Sequence, residues 1–128
     1  MGYVFKKTPP TSFAHTLTKV REELSREGFG ILTEIDVTEA LKNKLGEDFR
    51  KYRILGACNP PYAYKALQLE PDVGAMLPCN VVVQENENGE VEVAAIDPIA
   101  SMQAIENESL RSIAEKIQQK LKRVIDRV

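Results

Sequence analysis

Tryptophan is absent from this 128-residue chain, and histidine occurs once, at His15. A single histidine cannot build the mixed-ligand set of a zinc site, and no Cys-x-x-Cys spacing takes its place. The seven glycines are scattered among turns and helix stops, so no glycine-rich loop is available to cradle a phosphate. Gly-x-Ser-x-Gly does not occur either, which removes the local signature of a serine nucleophile elbow. No apolar run approaches the roughly 20 residues that a transmembrane helix requires. Met1-Gly2-Tyr3-Val4-Phe5-Lys6-Lys7 lacks the basic start and long apolar core of a secretory signal. Lys6 stands where myristoylation needs Ser or Thr. These absences predict a cytoplasmic chain with no membrane partner. Excess charge is lacking too: 17 Lys and Arg face 19 Asp and Glu, a net of −2. Such a balance opposes coating of nucleic acid or an anionic membrane. Two cysteines without an export signal imply a reducing compartment and free thiols.

What is present reads as one soluble domain over residues 1–128. The chain is 43% hydrophobic and 28% charged, an ordinary globular composition. A chain of this length hides on the order of two thirds of its unfolded surface, so it needs neither disulfide nor metal to hold together. Tyr3-Val4-Phe5 predicts a first strand. Thr11 or Ser12 caps a helix whose apolar stripe is Phe13, Leu17, Val20 and Leu24, with Gly28 as its stop. Alternation through Phe29, Ile31, Thr33 and Ile35 predicts a strand over 29–36. Asp36 and Glu39 form a capping box for a short helix ending at Gly46. A strand over 50–57 then runs into Asn59-Pro60, where Asn caps a helix and Pro fits its first position. That helix stops before Pro71. Residues 74–85 read as β, with Pro78 at the start or on an edge, because it has no amide to donate.

The next turn sets a register. A two-residue turn at Asn88-Gly89 would pair Val83 with Ala94 and mix the two faces of the hairpin. A type I turn over Asn86–Gly89, with Gly89 as a left-handed bulge, pairs Val83 with Val93 and Val81 with Ala95. Glu85 then lies opposite Val91. The bulged turn is the one expected, because it gathers the valines on one face. Asp97-Pro98 opens a short helical turn. Asn107 caps a last helix with apolar positions Leu110, Ile113, Ile117, Leu121, Val124 and Val128. The basic residues crowding its second half, Lys116, Lys120, Lys122, Arg123 and Arg127, complement the helix dipole and are read so in preference to phosphate binding.

The chemistry-bearing inventory is short. His15 lies about 200° round the helix from Phe13 and is expected to face solvent. Tyr62 and Tyr64 point to different sides of their helix. Cys58 and Cys79 each adjoin an asparagine, in Cys58-Asn59-Pro60 and Pro78-Cys79-Asn80. Cys58 immediately precedes a helix N-terminus, whose amides and dipole favour a thiolate. The bland reading is that both are small buried hydrophobes at strand ends. Were the strand–helix–strand unit between them parallel, they would fall at opposite ends of the sheet. The candidate site is therefore Cys58, Asn59, Cys79, Asn80 and Asp97. An acid–base enzyme would have to draw on Asp97, Glu34 or Asp36, which show no recognisable pairing.

Across Ile54-Leu55-Gly56-Ala57-Cys58-Asn59-Pro60, Leu77-Pro78-Cys79-Asn80-Val81-Val82-Val83 and Asp97-Pro98, the chain resembles the domain-of-unknown-function 302 family. The likeness extends upstream through Gly28-Phe29-Gly30 and Glu34-Ile35-Asp36-Val37. The resemblance implies an α+β fold: an antiparallel sheet with helices packed on one face, similar to one half of a TATA-binding protein, in a homodimer. It brings no catalytic residues. Other branches resemble this chain at Asn59-Pro60, Leu77-Pro78 and Asp97-Pro98 but differ at the cysteines, so a thiol function would belong to this branch. Likeness to a DNA-binding fold is analogy, and Glu85, Glu87, Glu90 and Glu92 on the hairpin would repel phosphate.

Two functions compete. The first is a cytoplasmic homodimer that binds a small ligand or a protein partner, with no cofactor, and with its last helix or a sheet edge buried between subunits. The second is thiol chemistry at Cys58 and Cys79: redox exchange, or binding of a soft metal such as Zn or Cu.

Overall fold

The computed structural model describes residues 2–128; Met1, counted in the expected domain, lies outside the described residues. The elements run β1 (Val4–Lys7), α1 (Phe13–Arg26), β2 (Gly30–Asp36), α2 (Val37–Leu45), β3 (Tyr52–Cys58) and α3 (Pro60–Leu69). A 3-10 segment (Pro71–Met76) follows, then β4 (Cys79–Glu85), β5 (Val91–Ile96), α4 (Pro98–Ser101) and α5 (Glu108–Arg127). The strands form one antiparallel sheet in the order β1-β5-β4-β3-β2, so the α+β class stands.

Local chemistry explains most boundaries. Ser12 caps α1, its Oγ accepting from His15 N at 3.1 Å. Asp36 caps α2 through Glu39 N at 3.0 Å. Gly46 ends α2 at φ 69°, a left-handed conformation that suits a residue without Cβ. The hairpin adopts the bulged register: Val81 faces Ala95, Val83 faces Val93 and Glu85 faces Val91. Gly89 sits at φ 77°, and Asn86 Oδ1 accepts from the amides of Asn88 and Glu90 at 2.9 and 3.0 Å. His15 is exposed.

Two expectations are corrected. The β-like run over 74–85 is strand only from Cys79, because Pro71 opens a 3-10 segment and Pro78 can donate nothing to a ladder. Asn59 occupies the cap position of α3, but its side chain caps nothing; Nδ2 donates instead to Glu27 O at 3.0 Å. Pro60 and Pro61 fill the first two helical positions, so the first amide of α3 that could be capped is that of Tyr62.

The inward face of the sheet carries Leu55, Val81, Val83, Val93 and Ala95, all fully buried. They meet Val20 and Leu24 of α1 and Leu121 and Val124 of α5, also fully buried. Burying each such side chain stabilises by about 1.5–3 kcal/mol, and the 3.6-residue stripes of α1 and α5 align them. A satellite core of Ala66, Val73 and Leu110 joins α3 and the 3-10 segment to the start of α5. On the other face, Ile35, Ile54, Val82 and Ala94 stand opposite one another across four strands and are half-buried or exposed.

The basic half of α5 has a definite job. Glu27, just past α1, takes a two-pronged bond from Arg123 (Nε 3.1 Å, Nη2 2.9 Å) and another from Arg127 at 2.8 Å. Lys120 Nζ lies 3.8 Å away. These bonds, led by Arg123, hold the Glu27 carboxyl below the usual carboxylate range.

Candidate functional site

Antiparallel pairing of β3 with β4 decides where the cysteines go. Ala57 faces Cys79, so Cys58 ends β3 at the same end of the sheet where Cys79 begins β4. The separation expected of a parallel unit does not arise. Both cysteines line a cavity of about 250 Å³, together with Asn59. Cys79 is buried and Cys58 partly exposed.

Three layers close the cavity. The sheet end supplies Ala57 and Phe29. Tyr62, Ala63 and Ala66 of α3 form one wall. Leu110, Ile113 and Ile117 of α5 form the opposite one. On the α3 wall the small side chains Ala63 and Ala66 line the space, and Ala66 also packs into the satellite core with Leu110. None of the described lining residues is charged, so the interior is nearly devoid of polar surface. Leu32 and Leu67 also line the cavity and are 67% and 43% exposed, which makes an apolar rim.

The candidate residues divide. Cys58, Asn59 and Cys79 come together at the cavity; Asn80 and Asp97 do not line it. Asn80 alternates away from Cys79 and Val81 and is exposed. Asp97 is committed to structure: Oδ1 accepts from Ile99 N and from Gln118 Nε2, each at 3.0 Å, tying α4 to α5. Glu34 bonds Arg21 at 2.7 Å and also Arg53, and Asp36 shares Arg53 at 3.4 Å. The Arg21 and Arg53 bonds hold Glu34 below the usual carboxylate range, which suits a permanent anion and not a proton donor. Sequence reasoning missed the alanines of α3 and the whole α5 wall, whose only signal was the small residue at Ala63 and Ala66 among larger neighbours.

The thiols differ. Burial, and then the neighbouring Cys58, push the Cys79 thiol up to about 11, so it stays protonated at neutral pH. Beside Cys58, α3 opens on Pro60 and Pro61, which offer no amide hydrogens. Among the described residues, no group of three or more His, Cys, Asp or Glu side chains could hold a metal ion. Among the described residues, no helix is long and apolar enough to cross a membrane.

Comparisons with known proteins agree with the motifs. No curated protein matches the chain. An uncharacterised conserved DUF302 protein of Bacillus stearothermophilus, solved by crystallography, is similar at 34% identity and a TM-score of 0.89. The match covers 97% of this chain and 96% of that one. The model of the family described as "Domain of unknown function DUF302" matches residues 5–128. On a match of that extent, over the same strand ends and prolines that build the cavity, the chain belongs to the DUF302 family.

Proposed function

We propose that this protein is a small binding module that takes a small, largely apolar molecule in the cavity between α3, α5 and the sheet end, and needs no cofactor to do so. The observation that carries it is the uncharged interior of about 250 Å³ with an apolar, accessible rim. An apolar space of this kind stays dry when empty and gains by filling. Titration with neutral one- and two-ring aromatics, followed by backbone amide resonances, tests it. A binder shifts Ala57, Cys58, Ala66 and Leu110 to saturation; a panel that leaves all four unmoved overturns the reading.

The same reading makes the module a cytoplasmic homodimer. The apolar line Ile35–Ile54–Val82–Ala94 on the free sheet face supports this, since α5 already spends its apolar stripe on its own sheet. Equilibrium sedimentation at micromolar concentration gives a dimer mass, and a monomer there removes the homodimer. The four glutamates of the β4–β5 hairpin support the exclusion of nucleic acid.

A second reading, soft-metal or redox chemistry at Cys58 and Cys79, is favoured by one observation: both line the same cavity at adjacent strand ends. The raised Cys79 pKa weighs against it, because metal ligation requires the thiolate. Native mass spectrometry of protein purified without reductant or chelator decides. A retained Zn or Cu mass, or the two-hydrogen deficit of a disulfide, installs the thiol reading; bare chains retire it.

A further inference from the structure

We propose that the molecule held in this cavity is neutral, apolar over most of its surface, about the size of a two-ring aromatic, and carries one hydrogen-bond donor that pairs with Asn59 Oδ1. This rests on the ligand-binding reading above and names its ligand class. Size follows from volume. An apolar cavity of roughly 150 Å³ takes benzene, so about 250 Å³ admits about ten non-hydrogen atoms by the same proportion.

The donor follows from Asn59. Its side chain lines the cavity and only 7% of the residue is exposed. Nδ2 is committed to Glu27 O at 3.0 Å. The amide nests against Gly28, where an added Cβ would come within 3.2 Å of Nδ2. Turning the amide over would set Oδ1 against the Glu27 carbonyl, two acceptors facing each other, so the orientation is fixed. Oδ1 is left without a protein partner among the described residues: α3 opens on Pro60 and Pro61, which have no amide hydrogen, and the Tyr62 amide that follows does not bond it. Oδ1 keeps some contact with solvent, so an apolar ligand that covers it strips that hydration and must supply a donor in its place.

Neutrality follows from the lining. No lysine, arginine or histidine among the described lining residues can meet an anion, and no carboxylate can meet a cation. An ionised ligand entering this interior would lose its hydration uncompensated.

The test uses three probes of one shape on the whole chain: indole, which has the N–H donor; benzothiophene, which lacks it; and indole-2-carboxylate, which adds a charge. Affinities come from calorimetry and the Asn59 side-chain amide resonance. Indole is expected to bind roughly three- to tenfold tighter than benzothiophene, the span of one neutral hydrogen bond, and to move the Asn59 side-chain resonance further. The carboxylate is expected to show no saturable binding. Ala63→Leu, which fills a half-buried position on the α3 wall, removes binding of both neutral probes. Benzothiophene equal to or tighter than indole overturns the donor while leaving the cavity reading intact. Tighter binding of the carboxylate overturns neutrality. Failure of both neutral probes to bind the wild-type chain overturns the cavity reading itself.

Discussion

Replacing Glu27 with Gln tests how α5 is fastened to the end of α1. The carboxylate is 9% exposed and meets three cations, while Arg123 and Arg127 are 45% and 47% exposed. Half-exposed partners discount each pair to the surface range of about 0.2–1 kcal/mol. The two-pronged geometry of Arg123 lifts its share toward the charge-assisted range of about 1.5–3 kcal/mol. Glu27→Gln also leaves three like charges clustered without their anion. The expected loss at pH 7 is about 1.5–3 kcal/mol by these ranges, or very roughly 5–12 °C in melting temperature for a domain of this size. The pH dependence fixes the cause. The Glu27 pKa is lowered by folding, so its stabilisation is complete above the unfolded glutamate value of about 4.3 and is lost as pH falls through the lower folded value. Urea melts of both proteins between pH 7 and pH 2.5 give the gap directly. It should be full at neutral pH and close with acid. A gap under about 0.3 kcal/mol at pH 7, within additivity error, or one unchanged at the acid end, refutes the reasoning.

Asp97→Ala removes the α4 cap and the Gln118 tie together and should cost about 0.5–2 kcal/mol for the cap alone, read by chemical denaturation. Gly56→Ala should destabilise by about 1–3 kcal/mol: a Cβ there collides with Thr33 Oγ1 and comes within 2.7 Å of Pro78 Cγ. A neutral result would mean that β2 and the Pro78 turn yield more easily than their packing suggests. Iodoacetamide at pH 8 should add one carbamidomethyl group to the native chain, at Cys58, and a second only after denaturation, because Cys79 is buried and its pKa is pushed up to about 11. Equal native labelling of both would contradict that burial, and intact-mass spectra distinguish the two results.

Features set within a few residues were the legible ones. The Ser12, Asp36, Asp97 and Asn107 caps and the Gly89 bulge each depend on groups close in sequence, and each bond is present. The hairpin register followed because only one alignment kept the valines on one face. The cavity was not legible, since Ala63 and Ile117 become opposite walls only through the path of the whole chain. Asn59 misled for the same reason. Its local sequence is that of a cap, but the partner that orients its amide, Glu27 O accepting from Nδ2, lies 32 residues away in the chain. Adjacency of Cys58 and Cys79 likewise depended on whether β3 and β4 run antiparallel, which no short-range signal states.

The position of β1 bears on the order of assembly. It pairs only with β5, Val4 opposite Ile96, so its partner is made last among the strands. On a ribosome adding about 5–20 residues per second, Val4 waits on the order of 5–20 s for Ile96 by that rate. The β2–β3 pair and its crossover to β4 can form during that wait. β1, made before the other four strands of the sheet, is therefore the last of the five to join it, and until it does β5 keeps an open edge.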